Sequence, residues 1–273
     1  MSQISFAPGF PRDPETGWIL FPKDTQFRKS LFFPDEVNQH PAKMNLHLQQ
    51  SCIEYVAKQG ETILDPFSGT GSLMIAALQG IRVILIELED GYHQLQQRAK
   101  ETLEREIPDT GKLITLIHAD NRMVMPIPCN HIITSPPYAS ALRTGTVGTK
   151  RMRDNPDDDF AKLDRLQQYY TQSPRNIGNM NNFLYNQTME KVYSLCYQSI
   201  LPGGTLTIIL KDRIENQKRV SLTGWADRVC RKQGFKLELH ERWKTPGIQF
   251  TAINKLHGLE VVEDESIMIY RNE

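Results

Sequence analysis

The chain has 273 residues, 39% of them hydrophobic, with 32 basic and 32 acidic side chains. That length supports one large α/β unit or one unit with an embellishment. Zero net charge excludes a uniformly basic coat while leaving room for a local basic face. No run of roughly 18 apolar residues is present to span a membrane. Met1-Ser2-Gln3-Ile4-Ser5 lacks the charged and apolar regions of a secretory leader, so the expected location is cytoplasmic. The four cysteines (Cys52, Cys129, Cys196, Cys230) are widely spaced with no C-x-x-C. They read as reduced, buried thiols, neither a disulfide frame nor a zinc site.

In chain order, residues 1–40 are rich in proline and aromatics (Phe6, Phe10, Trp18, Phe21, Phe27, Phe32, Phe33). Disordered segments are poor in aromatics, so this reads as an ordered arm ahead of a main domain over 41–273. Leu46, Leu48, Ile53, Val56 and Ala57 predict a helix within 45–59. Alternation then begins: a strand over 61–65, a helix over 71–79 closed by Gly80, and a strand over 81–87. A helix over 90–107, stopped by Pro108, and strands over 113–118 and 130–134 follow. After Tyr138 the pattern breaks until a helix over 183–200, ended by Leu201-Pro202-Gly203-Gly204. A strand over 205–210, a helix over 222–233 capped by Gly234, and an antiparallel pair over 235–243 and 266–270 complete it. Strand–helix alternation at this pitch predicts an α/β fold: a doubly wound, mostly parallel sheet of about seven strands, Rossmann-like, with an antiparallel final strand pair.

Two motifs stand out. Asp65-Pro66-Phe67-Ser68-Gly69-Thr70-Gly71 is a strand-to-helix turn whose glycines let backbone approach a ligand. The G-x-G-x-x-G spacing of a pyrophosphate grip is absent, and Asp65 would repel phosphate. Glu87 ends the next strand, where an acid can accept from both ribose hydroxyls. Asp120 follows the third, where it can accept from an adenine amino group. The second motif is Thr134-Ser135-Pro136-Pro137-Tyr138, a stiff ledge at a strand end. Proline has no N–H, so carbonyls beside it project outward unpaired, and the tyrosine ring offers a stacking face.

The two motifs in this order resemble those of the S-adenosylmethionine-dependent amino-methyltransferases of DNA, as does His40-Pro41-Ala42-Lys43-Met44 ahead of the glycine turn. The resemblance covers roughly 40–138 and, more loosely, 183–270, with the cofactor half first as in the γ group. It implies that Pro41, Lys43, Met44 and Phe67 flank the methionine end of the cofactor. It also implies that Asp65, Pro66, Ser68, Gly69, Gly71, Glu87 and Asp120 line the rest of its site. Serine before the two prolines is common among cytosine-N4 enzymes, aspartate or asparagine among adenine-N6 enzymes. The implied activity is therefore cytosine-N4 methylation, with the base flipped onto Ser135, Pro136, Pro137 and Tyr138, in a setting such as restriction-modification. Adenine-N6 methylation, tRNA guanine-N2 methylation and a catalytically silent subunit remain alternatives. Pro128-Cys129 resembles the nucleophile pair of cytosine-C5 enzymes but enters its strand instead of leaving it, so Cys129 reads as structural. No histidine pattern suggests a metal.

The 139–182 insertion carries seven basic residues against five aspartates. Arg143, Lys150, Arg151 and Arg153 are candidates for DNA phosphates, with Tyr169 and Tyr170 available to stack. Lys211 and Arg213, after the fifth long strand, are a second candidate group. A γ-type enzyme normally carries a sizeable recognition region after its catalytic half, and about 40 residues follow the last helix here. Recognition would use the insertion, the arm, a second subunit or a separate protein.

Overall fold

Among the described residues, nine strands form: β1 (Thr62–Asp65), β2 (Arg82–Glu87), β3 (Ile114–His118), β4 (Cys129–Thr134), β5 (Ile200–Leu210), β6 (Arg213–Glu215), β7 (Lys218–Val220), β8 (Lys236–Lys244) and β9 (Asp264–Arg271). The helices are α1 (Thr25–Lys29), α2 (Asp35–Asn38), α3 (Leu46–Val56), α4 (Asp90–Glu106), α5 (Asn121–Val124), α6 (Asn182–Ser199) and α7 (Leu222–Gln233). They come from a computed structural model that describes residues 5–38, 43–138, 173, 175–215, 218–246 and 256–273. Pro41, Arg143, Lys150, Arg151, Arg153, Tyr169 and Tyr170 lie outside the described residues, as does most of the 139–182 insertion.

Seven strands make one sheet in the order β3-β2-β1-β4-β5-β9-β8. β1 to β5 pair in parallel, and β9 runs antiparallel between β5 and β8. This is the doubly wound, mostly parallel sheet with an antiparallel end that the alternation predicts. The chain runs outward from β1 to β2 to β3, then returns to lay β4 on the other side of β1. Crossovers diverge at that point and open a crevice at the carboxyl ends of β1 and β4.

Side chains alternate across the sheet, which gives it two apolar faces. Ile63, Ile133, Ile209, Ile267 and Ile269 join a core that includes Leu48, Ile53, Tyr92 and Leu95 of α3 and α4. Leu64, Ile132, Ile208 and Met268 join a second core with Met189 and Val192 of α6 and Ala226 and Val229 of α7. Helix starts follow local capping: Asn45, Asn181 and Ser221 side chains accept from the first-turn amides of α3, α6 and α7. The four cysteines are buried and unpaired.

Phe6, Ile19, Phe21, Phe32 and Phe33 of the arm are buried in the first core. Ile19 donates to Arg242 O and accepts from Lys244 N, so it covers the outer edge of β8. Arg12 holds Glu241 with two hydrogen bonds, at 2.9 and 2.8 Å.

Three details depart from the sequence reading. The helix expected over 71–79 is a 3-10 helix, Ser72–Gln79, held between two left-handed glycines, Gly71 and Gly80. Met74 N donates to Gly71 O and Gly80 N to Ala77 O, three residues back at each end. β5 starts at Ile200, not Thr205. A register shift against β4 between Cys129 and His131 absorbs the Leu201–Gly204 stretch, and Asn272 bonds the backbone of Gly203 and Gly204. The β6–β7 hairpin has no sequence signal, because three-residue strands are too short to show alternation.

Ile63 is fully buried in β1. Ile63→Ala should cost about 2–5 kcal/mol, read as a lower urea midpoint at unchanged slope.

Candidate active site

β1 delivers Asp65 to the crevice, and the chain turns through Pro66–Gly71. Gly69 (φ 49°) and Gly71 (φ 79°) are left-handed, a conformation side chains resist. A Cβ at Gly71 would lie 2.9 Å from Gln96 Cγ and Met74 Cε, whereas one at Gly69 would meet nothing within 4 Å. Gly71 is therefore packed from behind, and Gly69 borders open space. The turn is braced by side chains that the sequence reading missed. Gln96 Nε2 donates to Ser68 Oγ at 2.8 Å and to Gly69 O at 2.7 Å. Asn121 Nδ2 donates to Pro66 O at 2.7 Å. Gln96 had a visible signal, a polar residue on the buried face of α4 among Tyr92, Leu95, Ala99 and Leu103.

The three acids stand at the ends of β1, β2 and just past β3, as expected. Their partners differ. Asp65 Oδ1 accepts from Phe67 N at 3.0 Å and from Thr134 Oγ1 at 2.7 Å. Burial pushes its carboxyl up to about 6, with those two hydrogen bonds pulling the other way. Glu87 Oε2 accepts from Gly69 N at 2.7 Å and Oε1 from Glu89 N at 2.8 Å. Burial pushes it up to about 7 against those bonds. Asp120 caps α5, and both its oxygens accept from Arg122. Burial raises that carboxyl, but the Arg122 hydrogen bonds and charge prevail and hold it below its ordinary range. Arg122 also donates to Arg175 O, and Asn176 Nδ2 donates to Glu89 Oε1. Residues 175–176 therefore lie beside the ends of β2 and β3.

β4 brings the ledge to the same crevice. The Thr134–Asp65 hydrogen bond ties it to the glycine turn across neighbouring strands. Among the described residues, neither Ser135 Oγ nor the Pro136 carbonyl has a hydrogen-bond partner. Tyr138 OH accepts from Lys211 N at 3.1 Å, which fastens the ring to the end of β5. Lys211 Nζ donates to Thr245 Oγ1 at 3.0 Å, and burial lowers its pKa against the pull of Glu265. Arg213 Nη2 reaches Asn182 Oδ1 at 2.9 Å and also Glu215. Cys129 sits at the opposite end of β4, and burial pushes its thiol up to about 12.

Behind the turn lies a buried cation. Arg28 of α1 is fully buried and donates to Ser72 Oγ at 3.0 Å, to Asp24 Oδ2 at 2.7 Å and to Met44 O at 2.7 Å. Lys43 is half-buried, and burial lowers its pKa, with the Arg28 charge adding to that and Asp24 opposing it.

The molecule is thus an α/β protein of the doubly wound class, with a glycine turn, two buried acids and a Pro-Pro-Tyr ledge gathered at its switch point. Comparisons with known proteins narrow this. Residues 10–98 match the family model described as DNA methylase (N6_N4_Mtase). That stretch carries the arm, the glycine turn and Glu87, and stops before the ledge. YubD of Escherichia coli (strain K12), a protein named as a methylase, is 39% identical over 67 residues, 24% of this chain and 30% of YubD. The type II methyltransferase M.BglI of Bacillus subtilis is 39% identical over 66 residues, 24% of this chain and 19% of that protein. Each match thus spans under a third of the relative. TrmN from Thermus thermophilus superposes with a TM-score of 0.49 at 12% identity, over 88% of this chain and 52% of that one. Over residues 10–98 the chain is similar to DNA methylases, and both relatives, named as a methylase and a methyltransferase, are matched over short stretches.

Two outcomes follow from the geometry. Gly71→Ala should cost about 1–3 kcal/mol, and Gly69→Ala less, because only the first adds a clash to the strained backbone. Denaturant midpoints of the two variants compare them directly. The second concerns pH. Asp65 and Glu87 are raised, so the folded chain keeps protons that the unfolded chain has released. That stabilisation is full below the ordinary carboxylate range and is lost as pH rises through about 6 and about 7. The thermal midpoint of the cofactor-free chain should carry this fall, and Glu87→Gln should shrink it. The same slope in that variant would contradict the burial of Glu87.

Proposed function

We propose that this chain transfers a methyl group from S-adenosylmethionine to an exocyclic amino group of a DNA base, most specifically N4 of cytosine. The observation that carries this reading is the Asp65–Thr134 hydrogen bond, which joins the turn suited to the cofactor to the ledge suited to an amine. The residues fit the group: Gly69 borders open space, and Asp65 and Glu87 are buried acids at the ends of β1 and β2. Glu87 would accept from the ribose hydroxyls, exchanging them for the amides it now holds. Asp120 and Pro66 would border the adenine, and Pro41, Lys43, Met44 and Phe67 the methionine end.

Bound cofactor supplies an electrophilic methyl on a sulfonium, so the protein's task is chiefly positioning. A base amine is a poor nucleophile because its lone pair is delocalised into the ring. Ser135 Oγ and the Pro136 carbonyl would accept its two hydrogens, which aims the lone pair and stabilises positive charge growing on nitrogen. The amine then loses one proton to solvent. Tyr138 would stack on the base, which leaves a duplex to reach the ledge. Lys211 and Arg213 would border the DNA backbone, with Arg143, Lys150, Arg151 and Arg153 of the insertion as further phosphate contacts. Serine at position 135 supports cytosine over adenine by resemblance. A second subunit or recognition protein would complete site selection, and the reaction belongs in the cytoplasm, where DNA modification such as restriction protection operates.

Incubation with labelled S-adenosylmethionine and unmethylated genomic DNA, followed by mass spectrometry of the nucleosides, tests this. N4-methylcytosine is expected. N6-methyladenine would overturn the choice of base, and label in tRNA or in no nucleic acid would overturn the reading. Tyr138→Ala should lower kcat at least tenfold, whereas Tyr138→Phe, which keeps the ring and loses only the bond from Lys211 N, should keep most of it.

A further inference from the structure

The arm contributes more than packing. Its buried pair, Asp24 and Arg28, is the meeting point of three backbone segments. Arg28 Nη1 holds Ser72 Oγ, the first side chain of the helix after the glycine turn, and Thr70 Oγ1 lies 3.5 Å from that same oxygen. Arg28 Nη2 holds the Met44 carbonyl, and Asp24 Oδ2 accepts from Leu46 N at 3.0 Å, the start of α3. The guanidinium lies over the Phe33 ring, its Cζ 5.6 Å from the ring centroid. A planar fork with several donors can fix three acceptors at once, which a flexible ammonium does poorly. Apolar side chains at both positions often match a buried ion pair in stability, so the pair itself is weak evidence for stability. What an apolar residue cannot do is set the distance between the 43–46 segment and the glycine turn.

We propose that Asp24 and Arg28 are positioning residues for the cofactor: by clamping Met44 O and Ser72 Oγ, they hold together the two segments that flank its methionine end. The proposal rests on the reading of the chain as an S-adenosylmethionine-dependent enzyme. It assigns the arm to the cofactor half of the site, in place of DNA recognition.

Titration calorimetry with S-adenosylmethionine on the full chain tests it, alongside steady-state kinetics. Ser72→Ala removes one bond of the clamp and leaves the ion pair intact, so folding should survive. Its cofactor Kd should rise roughly fivefold, the equivalent of one hydrogen bond. Arg28→Lys, which keeps the charge but loses the fork, should raise Kd at least as much. In both variants KM for the cofactor should rise with little change in kcat. Val229→Ala in the second core serves as a destabilised control and should leave Kd unchanged. Wild-type affinity in both clamp variants would overturn the proposal, as would an equal rise in the Val229→Ala control. No binding by the unmodified chain would instead overturn the function on which it rests.

Discussion

The hydrogen bond from Thr134 Oγ1 to Asp65 Oδ1 is the interaction on which the site depends. It is short, buried and made between the ends of two strands that are neighbours in the sheet but far apart in the chain. The sheet order creates that neighbourhood: β4 returns past β2 and β3 to pair with β1. Without the return, the glycine turn and the ledge would stand on separate edges. With it, the acid that opens one motif accepts a hydrogen bond from the residue that opens the other.

Supports radiate from this point. On one side, Gln96 and Asn121 brace the turn, and Glu87 reaches across from β2 to the Gly69 amide. On the other, Tyr138 is fastened to the start of the segment that leads into the β6–β7 hairpin. The arm closes the rear of the molecule. It covers the β8 edge through Ile19 and reaches inward through Arg28 to the glycine turn. The same segment therefore seals a sheet edge and touches the glycine-turn side of the crevice.

The strand and helix pattern was legible in sequence because both cores impose strict periods. Runs such as Arg82–Glu87 and the capped helix ending at Gly234 declare themselves by apolar spacing and by glycine. The placement of Asp65, Glu87 and Asp120 at strand ends was legible for the same reason. Their partners were not. Arg122, two residues from Asp120, takes both of its oxygens, and nothing in an Asp-Asn-Arg string shows whether the arginine folds back. Arg28 was invisible too, because a single arginine among surface-like residues gives no sign that tertiary packing buries it completely. The β6–β7 hairpin fell below the length at which alternation can be counted.

The central claim is that the turn after β1 and the ledge after β4 form one site, with the cofactor on the first and the base on the second. A crystal structure of the chain with S-adenosylhomocysteine bound tests it most directly. The account predicts the ribose on the Glu87 carboxylate, backbone of Gly69 against the ligand, and the sulfur facing Pro136. Ligand bound away from the β1–β4 crevice, or with its sulfur turned from the ledge, would contradict it.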